Sequence, residues 1–207
     1  MKLLIFGATG SVGRHVVNQA LEQGHQVTAF TRHATKVDIN RDNLEVAQGD
    51  VLDAAAVEKA VPGHDVVLCA LGAGRKGGVR AAGTRNIVAA MEKAGVQRLI
   101  CQSTLGIGDS WGNLNALWKY VMFGLLLRSA YADHVEQERH VTGSRLDWTI
   151  VRPGAFTDGP HTGQYEHGFS GTDKTITLKI SRADVADFML KQLTDEAYLH
   201  KTPGLSY

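Results

Sequence analysis

The stretch from Met1 to Val17, MKLLIFGATGSVGRHVV, restricts the possible folds more than any other part of the chain. An apolar run of strand length, Lys2 to Phe6, is followed at once by Gly7, Gly10 and Gly13, and then by apolar residues at helical spacing. The pattern predicts a strand, a glycine turn and a helix. Such a turn leaves backbone N–H groups unpaired at a helix N-terminus, where the helix dipole also favours a phosphate or pyrophosphate.

The glycines follow the spacing G-x-x-G-x-x-G, which differs by one position from the dinucleotide fingerprint G-x-G-x-x-G. Gly7 permits the sharp turn, Gly10 lets a ligand approach the backbone, and Gly13 lets the helix lie close to the strand. A flexible turn that binds nothing is the alternative interpretation. The position of the turn, at the first strand of a βαβ unit, favours a nucleotide site.

Length and composition indicate one domain. The 207 residues are 43% hydrophobic and 21% charged, which suits a single α/β core of good size. Strand and helix patterns alternate along the chain, so we predict a Rossmann-like, doubly wound parallel sheet with helices on both faces and a small C-terminal substrate-capping region. We expect residues 1–207 to form one NAD(P)-binding domain, with residues 152–180 contributing most of the cap.

Charge and cysteine usage limit the partners and the compartment. The net charge of +1 and the lack of a basic tract argue against nucleic acid as the main partner. The N-terminal apolar run is shorter than the core of a signal peptide, and no segment suits a membrane span. Cys69 and Cys101 lie in apolar strand patterns, which is typical of buried thiols in a reducing compartment. We therefore predict a cytoplasmic protein, either a monomer or a weak dimer.

The residues after the second predicted strand, Gln26 to Thr31, indicate the cofactor. A carboxylate at this point would hold a ribose 2′-hydroxyl and select NAD, but the chain has Arg32, with Lys36 just beyond. A guanidinium suits a 2′-phosphate, so we predict NADP. The alternative is that both residues are ordinary solvated loop cations.

Two other strand ends are candidates for cofactor contacts. Asp50 follows the third strand and could receive an adenine amino group, although a turn-forming aspartate is an almost equal alternative. Leu71 and Gly72 follow the apolar run of residues 65–70, where small residues would let the cofactor pass. A plain glycine loop is the alternative for that segment.

Ser103 and Thr104 follow the fifth predicted strand, where the reacting end of a dinucleotide would lie. A hydroxyl group there could bond a substrate carbonyl or the nicotinamide carboxamide. One of the pair could instead cap the next turn, and the sequence does not separate them.

Two helical segments follow. Leu117 to Leu127 is very apolar but too short to span a bilayer, so we interpret it as a core or lid helix, with a dimer or membrane-surface contact as alternatives. The next helix places Tyr131, His134 and Glu138 on one face. His134 could face the pocket as a proton donor or carboxylate partner, or could belong to a solvated surface. Histidine spacing elsewhere does not suit a metal, so we predict none.

Several segments together resemble the atypical short-chain dehydrogenase/reductase superfamily over essentially the whole chain. They are GATGSVG, GDVLDAAAV, GTRNIVAAMEKAGV, LDWTIVRPG and ISRADVADFML. Within that superfamily the chain is most similar to the NmrA-like, NAD(P)H-binding branch that contains biliverdin reductase B, also called flavin reductase.

The resemblance implies roles for a set of residues. It implies that the pyrophosphate is held by Gly7, Thr9, Gly10, Ser11, Val12 and Gly13. It implies that Arg32 binds the 2′-phosphate, that Asp50 and Val51 lie at the adenine, and that Leu71 and Gly72 lie along the cofactor. Ser103 and Thr104 would lie beside the nicotinamide, with Pro153 and Gly154 in the loop that closes over it.

The chain departs from that superfamily in its catalytic acid. The Tyr-x-x-x-Lys pair is missing, since Val135 stands four residues after Tyr131 and His134 takes roughly the place of the lysine. Hydride transfer to a planar, electron-poor acceptor needs little acid assistance. We therefore predict an NADPH-dependent reductase of a flavin or quinone, with Ser103, Thr104 and His134 as candidate catalytic residues. The alternative is a non-catalytic NADP(H) sensor of the NmrA type.

Overall fold

The computed structural model describes residues 1–75 and 77–207. The strands are β1 Lys2–Phe6, β2 Gln26–Thr31, β3 Leu44–Gln48, β4 Val66–Cys69, β5 Arg98–Gln102, β6 Asp147–Pro153, β7 Ala155–Thr157, β8 Glu166–His167, β9 Lys179–Ser181 and β10 Gly204–Ser206. The α-helices are α1 Gly13–Glu22, α2 Ala54–Ala60, α3 Arg80–Ala94, α4 Arg128–Thr142 and α5 Arg182–Lys191. Two 3-10 turns, Ala34–Lys36 and Gly108–Asn113, and a π-helix, Leu117–Leu126, complete the description.

The main sheet confirms the predicted doubly wound architecture. Its strands lie in the order β3-β2-β1-β4-β5-β6-β10-β8, and every pairing is parallel except that of β8 with β10. The order reverses at β1 and β4, which creates a crevice at the carboxyl ends of these strands. The glycine turn after β1 opens into this crevice. A second, two-stranded sheet pairs β7 with β9.

Burial on both faces explains why the central strands are continuously apolar. Leu3 and Ile5 of β1 pack with α1 and α5 on one side of the sheet. Leu4 and Phe6 of the same strand pack with the side chains of α2, α3 and α4 on the other side. Alternate residues of a strand point to opposite faces, so a sheet covered by helices on both sides needs apolar residues at every position.

Local capping signals set several helix ends. Asp53 accepts a hydrogen bond from the Ala55 N–H at 3.0 Å and caps the start of α2. Gly95 ends α3 in the left-handed conformation, with a φ of 73°. Ser181 accepts a hydrogen bond from the Asp184 N–H at 3.0 Å and starts α5. The C-terminal strand β10 is an inner strand, because it lies between β6 and β8.

The apolar segment before α4 is the main departure from the predicted elements. It forms a π-helix in which Phe123 is the buried side chain, so of the two interpretations, a core or a lid helix, the core helix was wrong. The helices α3 and α4 already cover the neighbouring face of the sheet. The π-helix instead packs beyond the end of the sheet, with Leu105, Leu114 and Ile176.

Candidate functional site

The glycine turn brings β1, β4 and α1 into close contact. Gly7 has a φ of +78°, and a Cβ atom at this position would clash with the carbonyl oxygen of Ala70. A Cβ atom at Gly13 would clash with the carbonyl oxygen of Gly7. Both positions therefore exclude a side chain for reasons of packing, as the glycine roles in the sequence predicted.

The same turn presents unpaired donors. The Gly10 N–H closes the turn onto the Gly7 carbonyl at 2.8 Å. In the part of the chain that the structure describes, the N–H groups of Ser11, Val12 and Gly13 donate to no other group. Val12 stands at the N-cap position without a side-chain cap, and the first turn of α1 contains no acidic residue. These donors and the positive end of the helix dipole fit an anionic group.

The residues predicted at the adenosine end lie beyond β2 and β3. Arg32 and Lys36 are exposed, and neither forms an ion pair within residues 1–75 and 77–207. The Asp50 Oδ1 atom accepts the Leu52 N–H at 3.0 Å, which is the turn-forming role that the sequence left open. Val51 is buried, and its carbonyl accepts a hydrogen bond from the Asn86 amide at 2.9 Å.

A cavity of about 440 Å³ extends from the glycine turn to the carboxyl ends of β4, β5 and β6. It brings together many of the residues that the sequence singled out, namely Gly10, Ser11, Val12, Leu71, Gly72, Ser103, Thr104, His134, Pro153 and Gly154. The remaining ones lie outside its walls, namely Gly7, Thr9, Gly13, Arg32, Lys36, Asp50 and Val51. Gly7 and Gly13 shape the turn from behind. The Thr9 hydroxyl lies 3.4 Å from that of Thr31 at the end of β2.

The two hydroxyls after β5 differ in their partners. The Thr104 Oγ1 atom donates to the Leu105 carbonyl at 3.3 Å. Ser103 is 1% exposed, and its Oγ atom has no hydrogen-bond partner in the described residues. The Oε1 atom of Gln102, the preceding residue, is also buried without a partner there. Buried polar atoms are almost always paired, and both residues line the cavity, so these two atoms are free to bond a molecule that enters it.

His134 is held by a buried network. Its Nδ1 atom lies 3.1 Å from the Gln137 Oε1 atom, while the Gln137 Nε2 atom donates to the Thr84 hydroxyl at 3.1 Å and to the Cys101 thiol at 3.3 Å. An amide oxygen only accepts, so Nδ1 carries the proton and Nε2 is left as an acceptor. Burial and the nearby positive charge of Arg80 lower the pKa of His134 to about 3. His134 is therefore a neutral hydrogen-bond acceptor, and the expected proton donor is corrected.

On the same face of α4, Glu138 is also buried and Tyr131 is half-buried, so the solvated-surface interpretation was wrong. Glu138 accepts two hydrogen bonds from Arg152, at 3.0 Å from Nε and 2.7 Å from Nη2. The third nitrogen of that guanidinium donates to Asp109 at 2.6 Å. The Tyr131 hydroxyl donates to the Gly106 carbonyl at 3.3 Å. These contacts fix α4 against β6 and against the loop that follows β5.

Two arginines that were not predicted as site residues from the sequence also line the cavity. Arg80 is 9% exposed at the start of α3, where its Nη1 atom lies 3.5 Å from Asp133. Arg182 starts α5, pairs with Asp158 at 2.7 Å and lies over the Phe156 ring at 5.3 Å. In both, the Nε atom is buried with no partner among the described residues. Arg182 lies in the motif ISRADVADFML, which was a usable signal, whereas nothing in the local pattern indicated Arg80.

The outer part of the cavity is apolar and aromatic. The π-helix and its neighbours contribute one wall, made of Leu114, Trp118, Phe123, Leu127 and Tyr131. The opposite wall contains Ala155, Phe156 and Leu178. The cap expected from residues 152–180 is thus shared with the segment from Leu114 to Tyr131, and residues 158–170 do not line the cavity.

A doubly wound parallel sheet with unpaired amides at a glycine turn, placed at the reversal of strand order, defines a Rossmann-type dinucleotide-binding protein. More specifically, the chain belongs to the NAD(P)H-binding family, whose sequence model matches residues 7–196.

Individual relatives agree with this membership. The chain is 31% identical over 207 residues to the UPF0659 protein YMR090W of Saccharomyces cerevisiae, covering 93% of this chain and 87% of the yeast protein. The crystal structure of the oxidoreductase ylbE from Lactococcus lactis is 25% identical, with a TM-score of 0.85 over 100% of this chain and 90% of that one. ChuY, an anaerobillin reductase from Escherichia coli O157:H7, is 27% identical, with a TM-score of 0.82 over 100% of this chain and 97% of that one.

No helix in residues 1–75 and 77–207 has the length and apolar character needed to cross a membrane. Within the same residues, no three His, Cys, Asp or Glu side chains are grouped so that they could hold a metal ion.

Proposed function

We propose that this protein is an NADPH-dependent reductase that passes a hydride to a planar, apolar acceptor such as a flavin or a quinone. One observation carries the proposal. A single cavity joins the unpaired amides of the glycine turn to an aromatic chamber at the end of β5. A ligand that fills the first part would present its far end to whatever occupies the second part. The similarity to a reductase, ChuY, supports the same conclusion.

The described residues fit the cofactor. The amides of Ser11, Val12 and Gly13 would hold the pyrophosphate, and the unpartnered Nε atom of Arg182 could add charge beside them. Arg32 and Lys36 would bind the 2′-phosphate. The remaining proposed contacts are Gly7, Thr9 and Gly10 in the turn, Asp50 and Val51 at the adenine, and Leu71, Gly72, Pro153 and Gly154 along the nicotinamide end.

Ser103 and His134 would orient the reacting end. The unpartnered Ser103 Oγ atom would bond the carboxamide, and the His134 Nε2 atom would accept a hydrogen bond from the nicotinamide ribose. When bound, the dinucleotide would supply the hydride. Trp118, Phe123 and Phe156 would exclude water and stack on the acceptor. The Tyr131 hydroxyl is bonded to a carbonyl and is not required as an acid, because flavins and quinones need little acid assistance.

The proposal is tested by mixing purified protein and NADPH with a panel of flavins and quinones and following NADPH oxidation. We expect turnover with at least one acceptor, and no oxidation above background across the panel would refute the reductase. Ser103→Ala and Thr104→Val form a matched pair, since each removes one hydroxyl. We expect Ser103→Ala to lower kcat/KM by about tenfold and Thr104→Val to lower it less, because only Ser103 lacks a partner in the described residues.

A second candidate is an NADP(H) sensor that binds the dinucleotide without turnover. It is favoured by the same engagement of the Tyr131 hydroxyl and by the exposed apolar side chains of the π-helix, which a partner protein could cover. Calorimetry with NADPH and NADP separates the two functions. Tight binding of both forms without turnover on any acceptor would favour the sensor.

A further inference from the structure

The π-helix has two apolar faces, and only one of them is used inside the molecule. The inner face lines the cavity through Trp118 and Phe123, which are five residues apart and have ring centroids 5.7 Å apart. This spacing equals that of the i to i+5 hydrogen bonds that define a π-helix. The outer face exposes five large apolar side chains within the same ten residues, namely Leu117, Tyr120, Val121, Leu125 and Leu126.

The exposure of this outer face is large. Tyr120 and Leu125 are 73% and 74% exposed, and Leu117 is 58% exposed. Scattered apolar residues are normal on a protein surface, but a contiguous group of this kind marks an interaction site. We call these five side chains the outer apolar patch.

The segment that carries the outer apolar patch has charges of one sign only. Residues 110–132 contain no Asp or Glu, and their only charged side chains are Lys119 and Arg128. Neither forms an ion pair in the described part of the chain, and Lys119 lies over the Trp111 ring at 5.8 Å. Lys174 is a third cation bonded to this segment, through the Gly112 and Leu114 carbonyls. The carboxylates of Asp109 and Asp173 are engaged by Arg152 and Thr175.

We propose that the outer apolar patch docks on the surface of an anionic lipid bilayer. Segments that lie in a membrane interface are typically rich in leucine, tyrosine and tryptophan and are flanked by cations. The outer apolar patch and its neighbouring tryptophans have this composition, and no acid in the segment neutralises the cations. A second copy on the same patch would bring Lys119 and Arg128 of both copies together, whereas anionic headgroups neutralise them. The opposite face of the same helix lines the cavity, so docking would place the cavity next to the lipid. That consequence, the entry of a lipophilic quinone from the bilayer, rests on the proposed function, but the docking itself does not.

The full chain is tested by sedimentation with vesicles, without NADPH or acceptor, so that the result is independent of the reductase proposal. We expect binding to vesicles that contain phosphatidylglycerol, weaker binding to pure phosphatidylcholine, and a decrease with added salt. The double variant Leu125→Glu, Leu126→Glu should lose about tenfold or more of this binding. Leu52→Glu is the matched control, because Leu52 and Leu126 are 48% and 47% exposed and Leu52 lies outside the patch.

A second variant reports on the patch directly. Tyr120→Trp places an indole at the most exposed aromatic position, and we expect its fluorescence to be quenched by lipids with brominated acyl chains. The thermal unfolding of each variant shows that it is folded. No binding to anionic vesicles would overturn the proposal, as would equal losses in Leu52→Glu and in the double variant. A concentration-dependent dimer that the double variant abolishes, with no vesicle binding, would assign the patch to a second copy instead.

Discussion

The His134 Nδ1 atom lies 3.1 Å from the Gln137 Oε1 atom, and this contact determines which nitrogen of the imidazole is free. Gln137 is itself held by Thr84 and Cys101, so its amide oxygen is directed at His134. The free Nε2 atom can only accept a hydrogen bond. The sequence allowed His134 to be a proton donor, but in the folded protein its free Nε2 atom is an acceptor.

The first prediction concerns this acceptor. His134→Phe keeps a planar ring but removes Nε2, so we expect the Kd for NADPH to rise by about three- to tenfold, the value of one hydrogen bond. Fluorescence titration with NADPH measures the change. His140→Phe, on the same helix but partly exposed, is the control and should bind NADPH like the wild type. Unchanged affinity in His134→Phe would remove His134 from the cofactor site.

The second prediction concerns stability against pH. The pKa of His134 is about 3 in the folded protein and 6.5 in the unfolded chain, so between these values only the unfolded state binds the proton. The free energy of unfolding should therefore fall as the pH is lowered from 6.5, with a maximum slope of roughly 1.4 kcal/mol per pH unit from this group. Urea unfolding from pH 7 to pH 4 measures it. The slope should be smaller in His134→Phe, and parallel curves for the two proteins would contradict the prediction.

The third prediction concerns the buried ion pair of Arg152 and Glu138. Glu138→Leu removes the carboxylate and leaves a buried guanidinium with only Asp109, so we expect a loss of about 3 kcal/mol in the free energy of unfolding. For a chain of this length the melting temperature should fall by roughly 6–12 °C. Glu136→Leu, which breaks an exposed pair with Arg139, should change stability by less than about 0.5 kcal/mol. Similar melting temperatures for both variants would show that the buried pair has no special weight.

The fourth prediction separates two glycines. A Cβ atom at Gly13 would clash with the Gly7 carbonyl, so Gly13→Ala should lower the melting temperature. A Cβ atom at Gly72 meets no protein atom within 4 Å, so Gly72→Ala should keep its stability and lose affinity for NADPH. Calorimetric melting and NADPH titration of both variants test this. Full NADPH affinity in Gly72→Ala would show that the cofactor does not pass this residue.

The fifth prediction concerns coenzyme choice. Arg32→Glu places a carboxylate where NAD-binding proteins hold the ribose hydroxyl, so NADPH should bind about tenfold to a hundredfold more weakly while NADH binds no worse. Arg41→Glu, also at an exposed position, is the control for a general effect of charge. An equal loss for both coenzymes in Arg32→Glu would argue against a 2′-phosphate contact.

Much of the fold could be predicted because its signals are local. The run from Lys2 to Phe6, the caps at Asp53 and Ser181 and the end of α3 at Gly95 depend on residues close in sequence. The π-helix was harder to predict from the sequence, because its apolar residues suit a core helix equally well. It lies beyond the end of the sheet because α3 and α4 already cover the neighbouring face.

The candidate site divides in the same way. The sequence by itself determined the glycine turn, the cations after β2 and the hydroxyls after β5, since each follows a strand and the carboxyl ends of parallel strands share one edge. Only the tertiary structure decided that Ser103 is unpartnered in the described residues, that His134 is a neutral acceptor and that Arg80 and Arg182 face the cavity. These properties depend on contacts between residues far apart in the chain, such as Gln137 with Cys101, 36 positions away, and such contacts exist only once the strands and helices have packed.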